Sequence, residues 1–131
     1  MRPIAMTREE LIRAALAYDE ATEDYPFGDD LLTVKVGGRV FAWIPLTDSG
    51  WLGSGCRVAI KAPPATILEL HAAYPDDVSG ARPLAERHWA AVRIGGLVGD
   101  DEIRDLIGLS YSCVVAGLPR RRRPGADPVG S

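Results

Sequence analysis

Cysteine is scarce in this chain. Cys56 and Cys113 are the two present among 131 residues, and they are far apart. That excludes a disulfide-stapled scaffold and a paired-cysteine metal knuckle, and two unclustered cysteines read as buried, reduced thiols. Histidine is equally sparse: His71 and His88 stand singly, so no metal and no cofactor are expected. Long apolar runs are missing too. None approaches the roughly 18–20 residues that cross a bilayer, and Arg8, Glu9 and Glu10 precede any hydrophobic run, so neither membrane span nor leader is expected and the location reads as cytoplasmic. The 14 glycines and 10 prolines follow no strict period, which excludes collagen-like and low-complexity chains. What remains is an ordinary globular composition, 47% hydrophobic and 25% charged. A single domain of this length can bury about two-thirds of its unfolded surface.

The net charge of -3 conceals a gradient. Residues 1–30 carry three basic and eight acidic side chains, residues 31–99 seven and five, and residues 100–131 five of each. The acidic total argues against indiscriminate coating of nucleic acid, yet a local basic face remains possible on such a chain.

Thr7 and Glu10 have capping-box spacing and predict a helix over 8–18, with Leu11, Ile12, Ala15, Leu16 and Tyr18 on its apolar side. The acidic stretch that follows reads as a loop ending in the bend Tyr25-Pro26-Phe27-Gly28. Residues 31–36 and 39–44 are β-branched and aromatic runs joined by Gly37-Gly38, the signature of a tight hairpin. Strict alternation puts Val40, Ala42 and Ile44 on one face and Arg39, Phe41 and Trp43 on the other. A loop over 45–55 precedes a strand at 57–61; Pro63-Pro64 opens a short helix to Ala73 with Ile67, Leu68 and Leu70 apolar; after Tyr74-Pro75 and a loop, residues 88–94 read as another strand. Asp100 is a plausible N-cap for a long helix striped by Ile103, Leu106, Ile107, Tyr111, Val114, Val115 and Leu118. No internal repeat is visible. The expected domain is 1–119, and 120–131 is expected to be a basic, then Pro/Gly-rich, disordered tail.

Candidate chemistry is thin. Gly50–Gly55 lacks the lysine of a phosphate-binding loop, and Gly108-Leu109-Ser110-Tyr111-Ser112 misses the last glycine of a hydrolase elbow. Asp76-Asp77 and Asp100-Asp101-Glu102 are better explained by turns and caps than by acid–base work. His88 as a general base has no assignable nucleophile or orienting carboxylate, so no catalytic residue is expected. Arg120–Arg123 either contact phosphates or offset a helix dipole. His88-Trp89 between Arg87 and Arg93 either stacks on a base and holds a phosphate, or is ordinary packing.

Several segments in order resemble one family: Thr22-Glu23-Asp24-Tyr25-Pro26-Phe27-Gly28, the hairpin Val34 to Ala42, Ala73-Tyr74-Pro75, Arg87-His88-Trp89 and Ser110-Tyr111. Together, over about residues 7–119, they resemble the MmcQ/YjbR family. The sequence departs from that pattern where Ala85-Glu86 and Ala90-Ala91 flank Arg87-His88-Trp89, and at Pro63. The resemblance implies an α+β fold, an antiparallel sheet packed against helices and similar to the CyaY or frataxin type, with a non-enzymatic DNA-binding role. On that reading Lys35, Arg39, Lys61, Arg87, His88, Trp89 and Arg93 contact DNA, the cations on phosphates, with Trp43 and Trp89 presenting flat rings. The alternative is a protein-interaction or small-ligand module with a pocket formed by Tyr25, Phe27, Trp43, His88 and Trp89. DNA is thus a possible partner, a membrane is not, and a monomer or homodimer is equally compatible.

Overall fold

The computed structural model describes residues 6–48, 51–53 and 55–125. Helix α1 (Arg8–Leu16) begins with the expected capping box: Glu10 N donates to Thr7 Oγ1 at 3.1 Å, and Thr7 N donates to Glu10 Oε1 at 3.3 Å. The helix stops before Tyr18, whose ring turns in to stack on Tyr111 and meet Phe41 edge-on.

Six strands follow: β1 (Thr22–Asp24), β2 (Leu31–Val36), β3 (Arg39–Pro45), β4 (Arg57–Lys61), β5 (Val78–Ser79) and β6 (Trp89–Arg93). They form one antiparallel sheet in the order β1-β2-β3-β4-β6-β5. The β2–β3 turn uses Gly37 (φ +57°) and Gly38 (φ +83°), as the paired glycines predicted. The edge strands β1 and β5 lie in stretches expected to be loops. They are three and two residues long, and Thr22-Glu23-Asp24 has no apolar alternation to announce it. Pairing to β2 and to β6 makes them strands.

The expected alternation of β3 breaks at Phe41, and the residues before it take the opposite faces. Val34 pairs with Ala42 while Lys35 pairs with Val40, so Phe41 is an extra residue, a bulge. The bulge lets Phe41 and Ala42 both face the helix side, and Phe41 is fully buried between Tyr18 and Tyr111. Burial of a phenylalanine is worth roughly 1.5–3 kcal/mol, enough to favour the kink over a regular ladder.

Helix α2 (Pro64–Ala73) starts at the prolines as expected. It buries Ile67 and Leu70 but leaves Leu68 71% exposed, a correction to its predicted apolar side. Helix α3 (Asp100–Ala116) has Gly99 rather than Asp100 as N-cap; Asp100 instead accepts from Met6 N at 3.1 Å, tying the segment before α1 to α3. Ile103, Leu106, Ile107 and Val114 press into one core with Leu32, Val34, Ala42, Ile44, Val58, Ile60, Ala90 and Val92 from the sheet and Leu11 and Ile67 from the other helices. The result is an α+β fold with its helices on one face of the sheet.

Ser110 sits at the centre of this core. Its hydroxyl donates to Phe41 O at 2.6 Å and accepts from Lys61 N at 2.8 Å. These are the backbone groups left apart where the β3–β4 ladder ends beside the bulge, with Ala42 opposite Ile60 and Trp43 opposite Ala59.

Beyond α3 the basic segment that opens the expected tail is described through residue 125. Arg120–Arg122 form a 3-10 turn, Arg123 Nε donates to Leu118 O at 3.1 Å, and Gly125 N donates to Glu20 Oε2 at 2.9 Å. Leu118 packs against the Gly37 turn, which draws the chain back onto the hairpin. The remainder of the expected tail, 126–131, lies outside the described residues. Both cysteines are free and half-buried. Among the described residues no helix is long and apolar enough to cross a membrane.

Candidate functional site

The face of the sheet away from the helices holds part of the predicted site. Across it, Thr33, Trp43, Ala59, Ala91 and Ser79 stand in one row of cross-strand partners. To one side Lys61 faces Trp89; to the other Arg57 faces Arg93. Lys35 shares this face but is engaged, its Nζ donating to Asp24 Oδ2 at 2.7 Å. That bond, with the Tyr25 amide, holds the Asp24 carboxyl below its ordinary value. Trp89 is half-buried and meets Trp43 edge-on at 6.5 Å, in a small cluster with Leu52, Leu84 and three alanines.

The predicted cations do not form one patch. Arg39 lies opposite Val36, on the helix side, and its guanidinium reaches Gly117 at the end of α3. Arg87 and His88 are exposed in the turn before β6, where Arg87 borders a groove with Pro64, Ile67, Leu68, His71 and Glu86. The bulge explains Arg39: Trp43 is an even step away and would share its face on a regular strand, but the extra residue at Phe41 reverses the alternation, while Arg87 and His88 precede β6 and follow no pleat.

The predicted ligand pocket is displaced. An apolar cavity of about 120 Å³ opens on the same sheet face, lined by Phe27, Leu31, Trp43, Trp51, Leu52, Arg82, Pro83 and Leu84. It keeps Phe27 and Trp43 from the expected set; Tyr25, His88 and Trp89 do not line it. Phe27 stacks with Trp43 at 6.0 Å and an interplanar angle of 20°, and leans on Trp51 at 5.7 Å and 40°. Trp51 and Leu52 were hidden in a Gly-rich loop, and Arg82-Pro83-Leu84 in another; an indole inside a loop of small residues was the available signal.

A second charged locus was half-legible. The 3-10 turn carries Arg120, Arg121 and Arg122 beside the β2–β3 turn, with Arg122 O against Gly37, so these arginines and Arg39 share one pole of the molecule. Arg123 caps α3, donating to Leu118 O and to Ala116 O at 3.2 Å. Among the described residues, Arg39, Arg120, Arg121 and Arg122 make no ion pair.

The acidic clusters serve the structure. Asp77 is buried and accepts from Leu97 N at 2.8 Å; Glu102 accepts from the Tyr74 hydroxyl at 2.7 Å. Burial pushes the Cys56 thiol up despite the nearby Arg8, which itself pairs with Asp48, so Cys56 is a protonated thiol near neutral pH. Among the described residues no group of His, Cys, Asp and Glu is arranged to hold a metal ion.

Comparison with known proteins gives consistent findings. The family model described as YjbR matches residues 16–113. The protein YbdF of Escherichia coli O157:H7, itself described as uncharacterized, is 29% identical over 104 residues, covering 79% of this chain and 80% of YbdF. The crystal structure of Deinococcus radiodurans protein DR2400, with the domain DUF419, superposes with a TM-score of 0.76 at 24% identity, over 95% of this chain and 94% of that one. A crystal structure from Pseudomonas syringae gives 0.64 at 21% identity, over 82% and 98%. The two structural likenesses speak for the fold. Arg39 lies inside the matched span and Arg120–Arg123 lie beyond it.

Proposed function

The chain belongs to the YjbR family, and from that premise we propose that it is a non-enzymatic DNA-binding protein holding the duplex by its phosphates. The contact is placed at the pole where the end of α3 meets the β2–β3 turn. One observation carries this reading: four arginines, Arg39 and Arg120–Arg122, stand on neighbouring backbone there and make no ion pair among the described residues.

A helix C-terminus presents the equivalent of roughly half a negative charge, and Arg123 already serves it through two carbonyls. The other four guanidinium groups are therefore surplus to the dipole and available to an anion. Without these five arginines the rest of the chain carries a net charge of -8, so the field is strongly two-ended and turns this pole toward a polyanion. Guanidinium also matches phosphate in a bidentate geometry. Arginines on a short turn beside a hairpin reach the backbone and not base edges, which predicts binding that depends little on sequence.

The test is fluorescence anisotropy of a duplex of about 20 base pairs across roughly 25–200 mM salt. Neutralising three or four phosphates gives a slope of log K on log salt of about -3 to -4. Arg120→Gln/Arg121→Gln/Arg122→Gln should flatten that slope by about 2–3, while Lys61→Gln/Arg93→Gln on the sheet face leaves it in place. Absence of binding at the lowest salt, an unchanged slope in the triple variant, or loss of binding in the sheet-face variant would each overturn the assignment.

A further inference from the structure

The cavity on the open sheet face is not needed for phosphate contact, and its chemistry is different. We infer that it is a binding site for a small monocyclic aromatic anion, with the ring held among Phe27, Trp43 and Trp51 and the anionic group turned to Arg82.

Size argues for a single ring. The cavity measures about 120 Å³, close to the roughly 150 Å³ apolar cavity that accepts benzene; a fused bicyclic ring system is too large to enter fully. Shape and lining argue for a planar one. Phe27 and Trp43 are within 20° of parallel, Trp51 is tilted by 40°, and Leu31, Leu52, Pro83 and Leu84 supply the apolar remainder. Such walls favour offset stacked and edge contacts with an inserted ring. Phe27 and Trp51 are 57% and 44% exposed. Two large aromatics held half in water around a concave opening are the surface expected of a ligand site.

Electrostatics then choose the substituent. Three aromatic faces could also attract an organic cation, but among the described residues no carboxylate lines this cavity and its one ionisable lining residue is Arg82. A cation would be repelled there. Arg82 Nε is held by Glu86 at 3.3 Å in a pair whose side chains are 89% and 60% exposed, an interaction that a ligand anion can displace. A second guanidinium stands close behind: Arg57 packs against Gly53, where an added Cβ would lie 3.5 Å from its Nε, and Gly53 adjoins the lining residue Leu52. The cavity therefore has an apolar floor and a cationic border.

Two-dimensional NMR of the tryptophan indole N–H signals tests this in the full chain, with benzoate, phenol, cyclohexanecarboxylate and benzyltrimethylammonium as probes. Benzoate should shift the Trp43 and Trp51 signals with a Kd on the order of a millimolar or tighter, the range for a ligand of nine heavy atoms. Phenol should bind more weakly, and cyclohexanecarboxylate and the cation weaker still. Trp51→Ala, in an exposed loop, should lose at least about tenfold in benzoate affinity with its melting temperature unchanged; Arg82→Gln should weaken benzoate and leave phenol unaltered. No shift with any ring at roughly ten times that concentration, equal binding of the cation, or full affinity in Trp51→Ala would overturn the inference. None of these results depends on whether DNA is bound.

Discussion

Ser110→Ala isolates the contact that lets the sheet accommodate its bulge. The hydroxyl closes the gap between β3 and β4 by donating to Phe41 O at 2.6 Å and accepting from Lys61 N at 2.8 Å, and the residue is fully buried. Alanine removes both bonds and leaves a buried carbonyl and a part-buried amide without partners. A hydrogen bond contributes about 0.5–1.5 kcal/mol net, and a stranded buried group costs about 1–3; the combined loss is about 2.5–4 kcal/mol. Alanine returns about 0.5 kcal/mol through its higher helix propensity, leaving a destabilisation of about 2–3.5. Against a typical stability of about 5–15 kcal/mol this is large, and near 130 residues it lowers Tm by roughly 6–15 °C. Urea unfolding should show a lower midpoint at unchanged m. Ser112→Ala, exposed on the same helix, is the internal control: it gains the propensity and loses no buried bond, so it stays within about 0.5 kcal/mol of wild type. If Ser110→Ala unfolded within 0.5 kcal/mol of Ser112→Ala, the two backbone groups would have to be satisfied some other way and the reasoning would fail.

Two further substitutions probe the fold, beside the salt-slope and ring-binding experiments above. Gly38→Ala should cost about 1–2 kcal/mol, the strain of a side chain at φ +83° with open space around it. Gly37→Ala should cost about 1–3 kcal/mol more, because its Cβ would stand 2.5 Å from Leu118 Cδ1 and 2.8 Å from Arg122 O; equal losses in urea unfolding would show that the C-terminal segment does not pack on the turn. The Tyr74 phenol, hydrogen-bonded to Glu102, is raised above its ordinary value. A raised folded pKa means that its stabilisation is complete below the unfolded value near 10 and is lost as pH rises through the folded one. In an NMR titration of labelled tyrosines, Glu102→Gln should bring the Tyr74 midpoint down toward about 10; an unmoved midpoint would rule out the carboxylate as its cause.

Much of the fold is local information. Thr7 and Glu10 are three residues apart and cap α1; Gly37-Gly38 closes a hairpin between two β-branched runs; the stripe from Ile103 to Val114 predicts α3 and the face it buries. Each rests on periodicity or turn chemistry within one segment, and so is legible in the amino-acid order alone. Pairing over long sequence distance decided the rest. Nothing within Thr22–Asp24 or Val78–Ser79 distinguishes a loop from an edge strand until β2 and β6 present unpaired backbone to them. The bulge at Phe41 is invisible to alternation because it breaks it, and what compels it is the core volume between Tyr18 and Tyr111.

The candidate sites divide in the same way. By itself the chain determined which residue types were available: indoles and guanidinium groups, with two histidines and two cysteines standing apart in sequence. Tertiary structure decided their company. The bulge in β3 put Arg39 on the helix side, and the β4–β6 register set Lys61 and Arg93 on the other. The packing of Leu118 on Gly37 carried Arg120–Arg122 to the pole that Arg39 occupies. Three loops far apart in sequence set Phe27, Trp51 and Arg82 around Trp43. A side chain's chemistry is intrinsic to it, whereas its neighbours depend on which faces and loops the backbone hydrogen bonds bring together.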